Sequence, residues 1–191
     1  MITAAEIARG VQGAWRLARL DPGGMDEFDK TVEGFWRSFW AAGVLAPVYL
    51  FMMSMDFTTI DDQSSPVRFV AIETIALVIA WVAFPLLMFH VTKLIDREAN
   101  YIGYVVAYNW SHLIQMLIIL PVQVLSPIGP SGEIAGGAAF LLLVATIMIL
   151  FYVGYIAKTA LKISGPMAAG IVAIDYGLTL FINAIKLSML T

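Results

Sequence analysis

Two sets of polar side chains interrupt long apolar runs at helical spacing, and they are the residues of this chain best suited to chemistry. Tyr104, Tyr108, Ser111, His112 and Gln115 fall within an arc of about 100° on a helix of 3.6 residues per turn; Tyr101 joins that arc and Asn109 lies outside it. Asp175, Thr179, Asn183 and Lys186 form a second stripe. Polar groups on an apolar helix are costly against lipid. The stripes are therefore expected to face each other or a shared cavity, with His112 and Asn183 in the interior and Asp175 nearer one end. Two uses fit this pattern. The groups can hydrogen-bond between helices and fix packing, each bond worth about 0.6–2 kcal/mol. Alternatively, they line a polar path in which His112 and Asp175 exchange protons or hold a polar ligand, because imidazole and a desolvated carboxyl both titrate near neutral pH. Packing is the preferred reading. Glu73, about a turn inside another apolar run, either reaches water, pairs with Arg68, or serves a proton or substrate.

No other constellation signals a reaction. There is no phosphate-cradling loop, no dinucleotide-binding glycine pattern and no serine-nucleophile signature. His90 and His112 are too far apart for a local metal motif, and neither has an acidic partner at ligand spacing. A haem held between them is not expected, since His90 belongs at a span end and His112 inside one. The absence of cysteine excludes disulfides, thiolate metal sites and thiol catalysis. A net charge of −3 without a concentrated basic patch argues against a nucleic-acid partner. The expectation is a protein that is not an enzyme and holds no cofactor.

The elements that position these residues are set by the solvent the chain is built for. Of its 191 residues 60% are hydrophobic and only 13% charged, and the mean hydropathy is +0.85. A soluble domain has about 45–50% apolar and about 25% charged residues, because it must cover itself with polar surface. Lipid as outer solvent removes that need. A helix crosses the ~30 Å hydrocarbon core with ~20 residues, and five runs qualify, at about 35–55, 69–90, 101–121, 134–157 and 167–186. They are continuously apolar, unlike the alternating strands of a barrel. The fold class is thus all-α, a polytopic transmembrane bundle of five spans over 35–191, preceded by an amphipathic interfacial region over 1–34. Pro47 and Pro85 can kink the first two spans. Gly132 and Gly136, and Ala169, Ala173 and Gly177, have small-residue spacing suited to close helix contact, within one chain or between copies.

Charge placement orients the bundle. Arg9, Arg16, Arg19, Lys30 and Arg37 precede or open the first span, Lys93 and Arg97 follow the second, and Lys158 and Lys162 follow the fourth. The alternate connections hold Asp56, Asp61 and Asp62, with Arg68 at the far edge, and a stretch from Val122 to Glu133 without a basic residue. Under the positive-inside rule the N-terminus is cytoplasmic and the C-terminus outside. The first residues lack the pattern of a cleavable signal, so the first span is expected to direct insertion.

Thr3 to Glu6 reads as a capping box. Ile7, Val11, Ala14, Trp15 and Ala18 then recur at helical spacing opposite Arg9, Gln12, Arg16 and Arg19, and Asp21-Pro-Gly-Gly24 ends the helix. This helix suits a headgroup boundary, where Arg9, Arg16, Arg19 and Arg37 meet lipid phosphate; the other reading packs it on the protein's own loops. A second short helix is expected over 25–34, leading into an aromatic anchor, Phe35-Trp36-Arg37-Ser38-Phe39-Trp40.

The layout, Tyr104-Val-Val-Ala-Tyr108, Lys158-Thr-Ala-Leu-Lys-Ile163 and Ala168-Ala-Gly-Ile-Val172 together resemble the bacterial form of the Ypt-interacting protein (YIP) family. The resemblance covers most of 20–190. It implies five spans, a cytoplasmic N-terminal region and a bacterial inner-membrane setting, and it carries over no site residue. The acidic and glycine-tyrosine N-terminal motifs of eukaryotic members are not evident, so their GTPase partners are not expected. The functional expectation is an accessory, scaffold or assembly subunit whose partners are membrane lipids and other membrane subunits or copies of itself. The alternative is a small transporter or channel using the path between spans three and five.

Overall fold

In a computed structural model the chain is an all-α bundle; residues 2–57, 65–125 and 136–190 are described. Helix α1 covers Ala4–Ala18, followed by a 3-10 turn at Pro22–Asp26; α2 covers Val32–Ser38, α3 Trp40–Phe57, α4 Pro66–Leu94, α5 Tyr101–Leu125, α6 Gly136–Leu161 and α7 Gly165–Leu190. Five helices, with α2 and α3 counted as one, are long and apolar enough to cross a membrane. They overrun most of the bounds read from the sequence, because helix continues through the polar ends of each apolar run. Asp61, Asp62 and Gly132, and most of the stretch from Val122 to Glu133, lie outside the described residues.

The capping box forms as expected. Glu6 N–H donates to Thr3 Oγ1 at 3.2 Å, and Thr3 N–H donates to Glu6 Oε2 at 2.7 Å. The short helix expected over 25–34 does not form. The Asp21 carboxylate accepts from Gly23 N–H and nucleates the 3-10 turn. Asp29 then accepts from both the backbone and the hydroxyl of Thr31, and Thr31 caps α2. Local side-chain bonds of this kind compete with helix, and here they win. Three helix ends, after α1, α4 and α6, turn through a left-handed residue: Leu20, Asp96 and Lys162, with φ of 62°, 55° and 54°. At each, the next N–H reaches back five residues to a free carbonyl, as from Ile163 to Lys158.

Helix α5 is the axis. From Gly103 to Ser111 every residue is buried, covered by α6 on one side, by α1 and α2 on another, and by α3 and α4. At the opposite extreme α7 buries only Ala168 and Ile171, and it packs on α4 and α6. At the end of the bundle away from α1, Lys186 pairs with Glu73 at 3.0 Å and Arg68 donates to the Met189 carbonyl at 2.6 Å. Glu73 therefore pairs across to α7 and not with Arg68 on its own helix.

The Glu73 and Lys186 side chains are 13% and 25% exposed, so removing one partner strands a charge at an apolar level, a loss of about 3–5 kcal/mol. Glu73→Ala should markedly lower the thermal midpoint in detergent, while Glu73→Ala with Lys186→Met should recover most of it. A double variant as unstable as the single one would show that the pair adds nothing.

Candidate functional site

The third-span stripe forms a column along α5. The Tyr104 and Tyr108 rings lie 6.1 Å apart, and His112 meets the Tyr108 ring edge-on at 4.8 Å. Helix α4 closes the column with Phe84, 4.6 Å from Tyr108, and Trp81, 4.6 Å from His112. The α4–α5 gap is thus filled by aromatic rings, whose offset and edge contacts add to simple burial. His112 Nδ1 lies 3.0 Å from the Tyr108 carbonyl. A carbonyl only accepts, so Nδ1 carries the proton.

The two stripes meet at one point. Tyr108 donates its hydroxyl to Asp175 Oδ1 at 2.8 Å, joining α5 to α7. The other members turn elsewhere. Ser111 donates to the Tyr108 carbonyl and accepts from Gln115, and Thr179 donates to the Asp175 carbonyl on its own helix. Asn183 is exposed, and Lys186 belongs to the Glu73 pair. The continuous facing arrangement expected of the stripes is therefore replaced by local bonds and one bridge. Tyr104 departs from this pattern: its hydroxyl is fully buried without a hydrogen-bond partner among the described residues.

Sequence reasoning left Asn109 outside the arc, and it is nonetheless fully buried. Its amide donates to Ser38 Oγ at 2.8 Å, and Ser38 donates onward to the Phe35 carbonyl at 2.7 Å. This chain of bonds ties α2 to α5 about 100° around the helix from Tyr108, the residue that meets Asp175. Its only sequence signal was an amide on a helix with no polar neighbour at i±4.

The N-terminal segments fold into a head on α5 and α6. The buried face of α1 is Gly10, Gly13, Ala14 and Leu17, about a quarter turn from the stripe of large apolar residues. The reason is distance. A Cβ at Gly10 would collide with the Trp110 indole, and one at Gly13 would stand 2.9 Å from the Gly24 carbonyl. Only glycine lets α1 approach this closely. Tyr152 on α6 donates to the Ala14 carbonyl and Tyr155 to the Leu20 carbonyl, each at 2.8 Å. The docked face of α1 thus lies on the protein, while Trp15 remains 52% exposed beside it.

This changes the roles of the arginines. Arg16 pairs with Asp21 and Glu27, each at 2.7 Å, and Arg37 pairs with Glu6. These two arginines, expected at lipid phosphate, are thus engaged with carboxylates of the head itself. Arg9 and Arg19 make no ion pair among the described residues and point outward. A small open cleft lies beneath α1, bordered by Glu6, Arg9, Glu27, Arg37, Ser38 and Trp110. No group of three or more His, Asp or Glu converges among the described residues.

Comparison with family models, curated proteins and solved structures finds no match for this chain. The geometry is therefore the basis for any functional reading.

The head carries its own pH response. Hydrogen bonds from the Thr3 backbone and hydroxyl, and the Arg37 charge, hold the Glu6 carboxyl below its usual range. The Arg16 guanidinium and the Gly23 N–H do the same for Asp21, and Asp21 in turn raises Arg16. A depressed carboxyl stabilises the fold above the unfolded pKa, about 4, and that contribution is lost as pH falls through the folded value. A fluorophore on a single cysteine at Ala5 should gain mobility as pH drops from 7 towards 3, and Glu6→Gln should show part of that mobility already at neutral pH. Equal mobility across the range would contradict this account.

Proposed function

We propose that this chain is a non-enzymatic, multi-pass protein of the bacterial inner membrane that acts as an accessory, scaffold or assembly subunit of a membrane complex. The observation that carries the reading is the use of the polar groups. Tyr108 and Asn109 bond between helices, Ser111, Gln115 and Thr179 bond within their own helices, and among the described residues no set is left free and aligned for turnover. The basic residues of the head and of the two adjoining connections support a cytoplasmic N-terminus and an exterior C-terminus. The resemblance to the YIP family belongs to the same proposal.

The head is the natural contact region. It is held to α6 by the Tyr152 and Tyr155 hydroxyls and to α5 by the Asn109–Ser38 bond, and it exposes Trp15, Leu20, Val32 and Trp36 together with Arg9 and Arg19. Amphipathic rings and cations of this kind suit a headgroup layer or a subunit seated at that level. Lipid and a partner subunit are both in reach of such a surface.

The alternative, a small transporter or channel, draws on one observation. The Tyr104 hydroxyl is buried and unpartnered, one helical turn from the Tyr108–Asp175 bond. A polar atom in that state calls for a water or a ligand atom.

Photo-crosslinking from Trp36 and Arg19 in native membranes tests the lead reading. Discrete protein adducts are expected, and they should fade in Gly10→Leu, which lifts α1 from Trp110. The absence of any protein adduct, combined with solute flux in vesicles that Asp175→Leu abolishes, would replace the scaffold with the transporter.

A further inference from the structure

Helix α7 is the least covered of the long helices, and its uncovered side carries a pattern. Ala169, Ala173, Tyr176, Leu180 and Asn183 follow one another at alternating steps of four and three residues, and all are exposed. That alternation is the a/d spacing of a heptad, by which one helix packs along another at a shallow left-handed crossing. The neighbouring faces of α7 are already used or differently patterned. Asp175 turns to Tyr108, Lys186 turns to Glu73, and Ile174, Phe181 and Ile185 form a separate, wholly apolar exposed face.

Asn183 decides what covers the seam. It occupies a d position within the apolar run of α7, and its amide bonds to no other side chain among the described residues. An amide at lipid level is costly when unpaired. It is also its own complement, since one side chain carries both donors and an acceptor. Two copies of Asn183 facing each other across a twofold axis satisfy one another, and a single amide in an otherwise apolar seam favours the one register that pairs it with its counterpart. A twofold axis along the membrane normal keeps both chains in the same orientation and makes the contact self-complementary. The small side chains of Ala169 and Ala173 let the backbones approach along the half of the seam nearer the head.

We propose that the chain self-associates through α7, with the seam occupied by α7 of a second copy, in a parallel pair registered by reciprocal Asn183 amides. This pairing is independent of the scaffold reading, because it concerns the purified chain alone.

The chain contains no cysteine, so single-cysteine variants report without background. Oxidative cross-linking in membranes should give dimers from Ala173→Cys and Leu180→Cys, and little from Ile174→Cys, Phe181→Cys or Ile185→Cys. In bilayers, the dimer dissociation constant read by energy transfer between labelled copies should rise about tenfold on Asn183→Leu, the size of one interhelical hydrogen bond. Asn183→Gln, which keeps an amide, should retain most of the affinity. An unchanged thermal midpoint of the Asn183→Leu monomer separates lost pairing from lost folding. Equal cross-linking on both faces, pairing indifferent to Asn183→Leu, or a monomer at every dilution would overturn the proposal. Adducts from the seam to a different protein, without dimers, would overturn it as well.

Discussion

A polar group withdrawn from water must find its partner inside the protein, and the arrangement around α5 follows from that constraint. Between Gly103 and Ser111 the helix has no exposed face, so each polar side chain on it must be met by a group from another segment or by its own backbone. Asn109 is met by Ser38 on one side and Tyr108 by Asp175 on the other. These two bonds lie about one residue apart along the helix and point in different directions. They peg α2 and α7 to the same level of the axis, while Ser111, Gln115 and His112 bond within α5.

The second organising contact is apolar and short-ranged. Gly10 and Gly13 allow α1 to lie against Trp110, Phe28 and the Gly24 backbone at distances no side chain would permit. That approach brings the Ala14 and Leu20 carbonyls within reach of Tyr152 and Tyr155. The helix is amphipathic in two senses at once: a glycine face docks on protein, while Trp15 on the adjacent apolar strip remains exposed. Its cations divide in the same way. Arg16, together with Arg37 of α2, closes the head through carboxylates, and Arg9 and Arg19 stay open to the surroundings.

The proposed function rests on how little of the polar inventory remains uncommitted among the described residues. A transport path needs polar groups in succession across the bundle, whereas here, among the described residues, the Asp175 side chain bonds to Tyr108 alone and Thr179 bonds back to its own helix. Two polar groups without partners among the described residues sit apart. The Tyr104 hydroxyl is inside the bundle and the Asn183 amide is on its surface. One invites a small guest, the other a neighbouring helix, and they do not belong to one site.

Much of this protein is legible in the order of its residues. Five long apolar runs, the Thr3–Glu6 capping box and the break at Asp21 are local or compositional properties, and each forms as local physics requires. The polar stripes were also visible, because helical periodicity assigns faces without reference to neighbours. What periodicity cannot assign is the partner. Whether Arg16 meets phosphate or Glu27, whether Glu73 meets Arg68 or Lys186, and whether the docked face of α1 is its bulky stripe or its glycines all depend on which segment lies opposite. Those choices are made by the close approach of helices distant in sequence, and only the tertiary structure decides them, because a hydrogen bond or an ion pair is fixed by distances that no single segment contains.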